Sequence, residues 1–266
     1  MCIFLIGLSL LAYPTVSDQW NKIHQTRAIV SHAENVAKLS QEDCDSLLGA
    51  ARAFNDLLVS MPDRWRLNGE MSRNYHSLLV SDDTEVMAYI EIPKIKVSLP
   101  IYHGTGAAVL QQAIGHMEGS SLPVGGESTH CVLSGHRGLP SAKLFTDLDK
   151  LVEGDTFMIY TLNETLTYEV DQINIVLPSD MSTLGIEQGK DLVTLFTCTP
   201  YGINTHRLMV RAHRVENADT HLVLVTADAL QLNQTLVALC IAVPTLLLLF
   251  VVTVLRPRKK KRHTLY

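Results

Sequence analysis

From Val86 onward the chain is cut into short runs rich in β-branched and aromatic residues, divided by Pro, Gly and Asp: VMAYIEI, KVSLPIY, THCVLS, TFMIYTL, TLTYEVDQINIV, DLVTLFTCT and RLMVRAHRV. Several of them alternate apolar with polar positions, the period-2 pattern of a strand that buries one face. Seven or eight such strands without a repeating helical pattern predict a mainly β fold, a closed or nearly closed β-barrel over residues 84–216. Short helices are expected in the gaps at Ala107–Ile114 and Ala142–Leu151.

Upstream the period lengthens. Leu47, Ala51, Phe54 and Leu58 recur at i, i+4, i+7 and i+11, and Ser40 with Asp43 makes a capping-box-like start. An amphipathic helix follows, inside a helical segment over 18–60 that packs one face on something. The next stretch, MPDRWRLNGEMSRN, loses that period and is rich in Pro, Gly, Asn and charge, so residues 61–76 read as a surface segment joining helix to barrel.

At both ends the pattern turns apolar throughout. Leu236–Leu255 holds twenty uncharged residues, enough to cross a hydrocarbon core roughly 30 Å thick, and Pro244 kinks such a span without abolishing it. A transmembrane helix is expected there, after a linker over 217–235. The tail 256–266 carries Arg256, Arg258, Lys259, Lys260, Lys261 and Arg262; by the positive-inside rule it is cytoplasmic, which puts the main domain on the outer side of the membrane. Removing those six charges from the net charge of −5 leaves −11, which argues against a nucleic-acid partner. Cys2–Ala12 is apolar but short for a span, with no basic residue before it; residues 1–17 are expected to be a membrane anchor whose true start lies upstream.

The five cysteines stand at 2, 44, 131, 198 and 240 with no C-x-x-C, neither a disulfide framework nor a zinc pattern, and no metal or cofactor is expected. Cys198 ends the run DLVTLFTC before Thr-Pro-Tyr-Gly, where the chain must turn, so its thiol is presented at a strand edge. Arg207 opens the next strand. There Leu208, Val210 and Ala212 take the core face, Arg207 the other, and a hairpin-like connection brings Arg207 near Cys198. Its guanidinium is suited to holding a carbonyl or an oxyanion. A cysteine nucleophile needs a proton partner; His206 points away from Arg207, whereas His136 in SGHRG is flanked by glycines that present it from a loop. Taken singly, each has an ordinary alternative: a small buried hydrophobe, a solvated arginine, a structural loop histidine. Cys131 reads as packing, and Asp147 and Asp149 as a solvated face.

Together TLFTC, SGHRG and HRLMVRAHR resemble the sortases, membrane-anchored cysteine transpeptidases of Gram-positive surfaces. YIEIPKIKVSLPIYHGT and GSSLPVGGESTHCVLSGHRGLPSAKLFTDLDKL are similar to the class C, pilus-polymerising branch, over about Tyr13 to the C-terminus. The resemblance implies an eight-stranded barrel, with Cys198 as nucleophile toward the Thr–Gly carbonyl of an LPXTG-like sorting signal. It further implies His136 as acid and base, Arg207 as oxyanion support, and a pilin lysine as acceptor. Anchoring of surface proteins to peptidoglycan, or a tethered scaffold without catalysis, are the alternatives. Class C members carry a lid with an Asp-Pro-aromatic motif; Asp63 and Trp65 keep its outer positions here, while Arg64 replaces the proline. The resemblance implies Asp63 against Arg207 and Trp65 over Cys198. A charge at the middle position favours solvent and a more mobile lid.

Overall fold

The computed structural model describes residues 2–81, 85–217 and 245. The linker beyond 217, the expected span 236–255 except residue 245, and the basic tail therefore lie outside the described residues. Among the described residues, no helix is long and apolar enough to cross a membrane.

Helix α1 runs through Cys2–Val36 with Pro14 inside it, so the expected boundary at residue 17 falls within one helix. Its later turns are tied to the rest of the unit: Lys143 N–H donates to Asp18 (2.8 Å), Asn21 to the Ser141 carbonyl (2.6 Å) and Gln25 to the Gln112 carbonyl (2.7 Å). Helix α2, Gln41–Val59, starts at the capping box of Ser40 and Asp43 and buries Cys44, Leu48, Ala51, Phe54, Asn55 and Leu58. The buried stripe thus runs through Leu48, and the neighbouring Leu47 is only half-buried. The 61–76 stretch is not all surface turn. Asn68 caps a further helix, α3, over Gly69–Ser77, accepting hydrogen bonds from the Glu70 and Met71 N–H groups.

Eight strands close into a barrel: β1 Val86–Ile92, β2 Val97–His103, β3 Ile114–His116, β4 Thr129–Ser134, β5 Thr156–Thr161, β6 Glu164–Val176, β7 Asp191–Thr199 and β8 His206–Val215. Their order around the barrel is β1-β2-β3-β4-β7-β8-β6-β5, with β2–β3 and β4–β7 parallel and the other pairs antiparallel. Ile90, Ile101, Leu133, Phe157, Leu195 and Val210 fill the interior and are fully buried. Fully burying an aliphatic or aromatic side chain stabilises by about 1.5–3 kcal/mol, so the inward set drives closure.

Both expected gap helices shrink. Helix α4 covers only Ala107–Leu110, and Ile114 belongs to β3, too short at three residues to show a period. Over 142–151 a helix does not form beyond the 3-10 turn Leu148–Lys150. The backbone there is committed elsewhere, Lys143 N–H to Asp18 and Phe145 N–H to the His136 carbonyl (3.1 Å).

Tyr75 of α3 is fully buried and fastens that helix to the barrel. His116 donates from Nε2 to the Ser121 carbonyl (2.8 Å), so in the neutral ring Nδ1 accepts from the Tyr75 hydroxyl (2.9 Å), whose oxygen accepts from Gly104 N–H (3.0 Å). Burial pushes the His116 pKa down to about 4 from an ordinary 6.5. The folded chain then binds fewer protons than the unfolded one between those values, and stability falls as pH drops through that window, by about 3 kcal/mol for this ring. Thermal melts are expected to show Tm declining from pH 6.5 to 4, with a shallower decline in His116→Gln. An equal slope in the two proteins would remove His116 from the explanation.

Candidate active site

In the β7–β8 hairpin Cys198 stands directly opposite Arg207, Phe196 opposite Met209 and Thr194 opposite Arg211. Leu195, Leu208, Val210 and Ala212 go to the barrel core, so by alternation Thr194, Phe196, Cys198, Arg207, Met209 and Arg211 share the outer face. Cys198 and Arg207 are both half-buried at the hairpin end. Arg207 Nη1 donates to the carbonyls of Asn204 (3.3 Å) and His206 (3.1 Å).

Strand β4 runs parallel to β7 on its other side, with Ser134 opposite Phe196. Two residues beyond that pair come His136, in the loop after β4, and Cys198, near the end of β7. The continuation is held by Gly135, whose N–H donates to the Phe196 carbonyl (3.2 Å) and whose carbonyl accepts from Thr197 Oγ1 (2.7 Å). Packing is why residue 135 is glycine: a Cβ there would lie 2.6 Å from the Phe145 ring. Burial pushes the half-buried His136 imidazole below its ordinary pKa, favouring the neutral ring. The structure thus brings Cys198, Arg207 and His136 to one end of one face. His206 pairs with Thr199 and lies within 3.0 Å of Thr205 Oγ1, and His213 is about 20 Å further along β8.

The 61–68 segment differs from expectation. Arg64 is buried, not solvated: Nη1 donates to the Gly119 carbonyl (3.1 Å), Nη2 to the Leu184 carbonyl, and the guanidinium lies 4.2 Å from the Trp65 ring centroid. Two carbonyls and an indole face take the place of water, so the added charge anchors the segment rather than loosening it. Loss of water still lowers the Arg64 pKa, to about 10. Asp63 is exposed, with Arg66 3.8 Å away, and no ion pair joins it to Arg207; Arg64 turned inward leaves its neighbour outside. Trp65 packs on an outer cluster containing Val132, Leu184, Met209 and Phe196, the last being next to Cys198 on that face. Glycine at 119 lets the segment lie close: a Cβ there would stand 2.3 Å from the Arg64 carbonyl oxygen.

Three further residues matter. His130 donates from Nδ1 to the Gly185 carbonyl (2.7 Å) and accepts at Nε2 from Thr194 Oγ1 (2.8 Å), pinning the loop between β6 and β7 to the floor. Alternation in THCVLS, with Cys131 inward in the core, was the signal for its outer position. Arg211 forks onto Asp171 (3.0 Å to each oxygen) and reaches Glu187 (2.9 Å) at the base of that loop. Arg137, beside His136, pairs with Asp149 at 2.5 Å. Asp149 is therefore not an idle surface charge. Nor is Asp147, which is held by Lys143 (2.5 Å) and Lys150 (3.0 Å).

The family model for the sortase domain matches residues 90–215. Among solved structures, sortase C1 from Streptococcus agalactiae is 51% identical, with 72% of this chain and 100% of that one covered and a TM-score of 0.70. A lid mutant of sortase A from Corynebacterium diphtheriae is 46% identical over 68% of this chain and 97% of that one, with a TM-score of 0.64. Sortase D of Bacillus subtilis is 35% identical over 112 residues, 42% of this chain; the chain spans about half the length of that relative, 54%. With one similar structure matched over its whole length at half identity, with cysteine opposite arginine at the end of the β7–β8 pair and histidine in the loop just after β4, this chain belongs to the sortase family.

Proposed function

We propose that the chain is a pilus-type cysteine transpeptidase. Cys198 gives its thiol proton to His136 and attacks, as thiolate, the Thr–Gly carbonyl of an LPXTG-like sorting signal, and the C–N bond breaks as the His136 imidazolium passes that proton to the departing glycine amine, leaving a thioacyl-enzyme. A lysine amine of another pilin then attacks the thioester, His136 takes its proton, and Cys198 leaves, so one amide is exchanged for an isopeptide bond with no nucleotide consumed. The observation that carries the reading is Cys198 directly opposite Arg207 on one flank, with the loop that holds His136 tied to β7 on either side of Cys198 on the other. Both hydrogen bonds of Arg207 use Nη1, leaving its other donors for the carbonyl oxygen that becomes anionic. Burial lowers the His136 pKa, favouring the neutral ring that takes the proton first of Cys198 and later of the incoming amine.

Residues 61–68 act as a lid in this reading, since Trp65 occupies floor that borders Cys198 and the C. diphtheriae relative was itself studied as a lid mutant. Membrane attachment through residues 1–17 and 236–255, with the barrel outside the cell, completes the proposal and places the enzyme where pilins emerge.

Mixing the purified chain with two pilin subunits bearing sorting signals is expected to give lysine-linked ladders, identified by mass spectrometry of the junction. Cys198→Ala should lower their yield by about 1,000-fold or more. Ladders at the wild-type level with that variant would sink the enzymatic reading, and linkage only to wall-derived amines would turn it toward anchoring. For the lid, removing a charged donor bonded to two carbonyls shifts closure by about 1.5–3 kcal/mol, so Arg64→Ala should raise cleavage of a short sorting peptide about tenfold or more. Trp65→Ala should act in the same direction. Unchanged rates in both would mean that the segment gates nothing.

A further inference from the structure

The neighbours of the two reacting side chains are joined on both sides. Before each of them, Thr197 Oγ1 donates to the Gly135 carbonyl at 2.7 Å. After each of them, Arg137 Nη1 reaches Thr199 Oγ1 at 3.4 Å. Cys198 and His136 thus sit inside a closed bracket whose two rungs connect 197 with 135 and 199 with 137. The first rung uses a backbone carbonyl that strand pairing already places. The second depends on a long side chain, and something must hold it.

Two contacts do so. Asp149 binds the Arg137 guanidinium through Nη2 at 2.5 Å, leaving Nη1 for Thr199. The Tyr201 ring lies over the guanidinium, 5.9 Å from centroid to Cζ, within the range of cation–π attraction. That ring also rests against residue 138: a Cβ there would be 3.0 Å from it, and Gly138 has a φ of +76° that favours glycine. The Arg137 side chain is only 11% exposed, whereas Asp149 is 44% exposed, so the fork is fixed from the surface and points inward.

We infer that Arg137, oriented by Asp149, is a positioning residue that sets the separation of the Cys198 thiol from the His136 imidazole by tying the loop after β4 to the end of β7. This rests on the reading that those two side chains act together. Arg137 donates its hydrogen bonds to Thr199 and Asp149, not to Cys198 or His136. It acts by closing the second rung, without which the histidine loop is held to β7 at one end alone.

Steady-state cleavage of a short sorting peptide by the full chain tests this. A misplacement on the order of 1 Å costs about 100-fold in rate, so Arg137→Gln is expected to lower kcat by about 10- to 100-fold while KM stays within about twofold. Thr199→Val keeps the shape and loses the hydroxyl; it should give a smaller loss of kcat, and the double variant should be no slower than Arg137→Gln alone, because both open the same rung. Arg137→Lys, which cannot fork to both partners, should restore only part of the rate. Full kcat in Arg137→Gln, losses that multiply in the double variant, or a loss carried by KM would each overturn the inference. Should Arg137→Gln melt below the assay temperature, Thr199→Val decides alone, an unchanged kcat counting against the rung. Activity persisting in Cys198→Ala would mark the failure of the transpeptidase reading instead.

Discussion

Registration of β7 between β4 and β8 is the constraint on which the site depends. A slip of one residue in either pairing would exchange faces, sending Cys198 into the barrel and Thr197 out of it. The slip is opposed by Val193, Leu195, Leu208, Val210 and Ala212, which fill the interior only in this register. Reactive groups on the outer face are thus located by apolar groups on the inner one. That is why a small site with a half-buried thiol needs a whole barrel behind it.

The outer face is managed by a second principle, the housing of polar groups away from water. On this face His130 is buried as a neutral ring, giving one nitrogen to a carbonyl and receiving a hydroxyl at the other; His116 is housed in the same way on the inner side, opposite Leu133. Arg64 is buried as a cation on two carbonyls and an indole face. The Leu184 and Gly185 carbonyls are taken by Arg64 and His130, so one loop is fastened from above and below by neighbouring atoms of its backbone. Arg211 fixes the base of the same loop with Asp171 and Glu187. Shape on this side is held by hydrogen bonds that the apolar core does not supply.

Much of the barrel was legible in the chain because alternation and strand breakers are local: β1 and β4 coincide with their apolar runs, and β7 with DLVTLFTCT. Closure needed β3, whose three residues carry no period, and the parallel pairing of β4 with β7, which no local pattern encodes. Proximity of Cys198 and Arg207 followed from a hairpin that pairs residues nine apart in the chain, and His136 was picked out by its glycine-flanked setting. Arg64 was misread because charge predicts exposure unless partners are known, and its partners stand 55 and 120 residues away.

One atom that is missing from the chain separates two different surfaces. The 61–68 segment lies where the side chain of residue 119 would begin, with the Arg64 carbonyl oxygen 2.3 Å from that point. Any larger residue at 119 would push on the backbone of Arg64 and Trp65 while leaving both side chains and the thiol chemically unaltered. Coverage of the floor is therefore written twice: once in side chains that grip, and once in a vacancy on the opposing strand connection. That vacancy carries no functional group, yet it alone makes room for the side chains that grip.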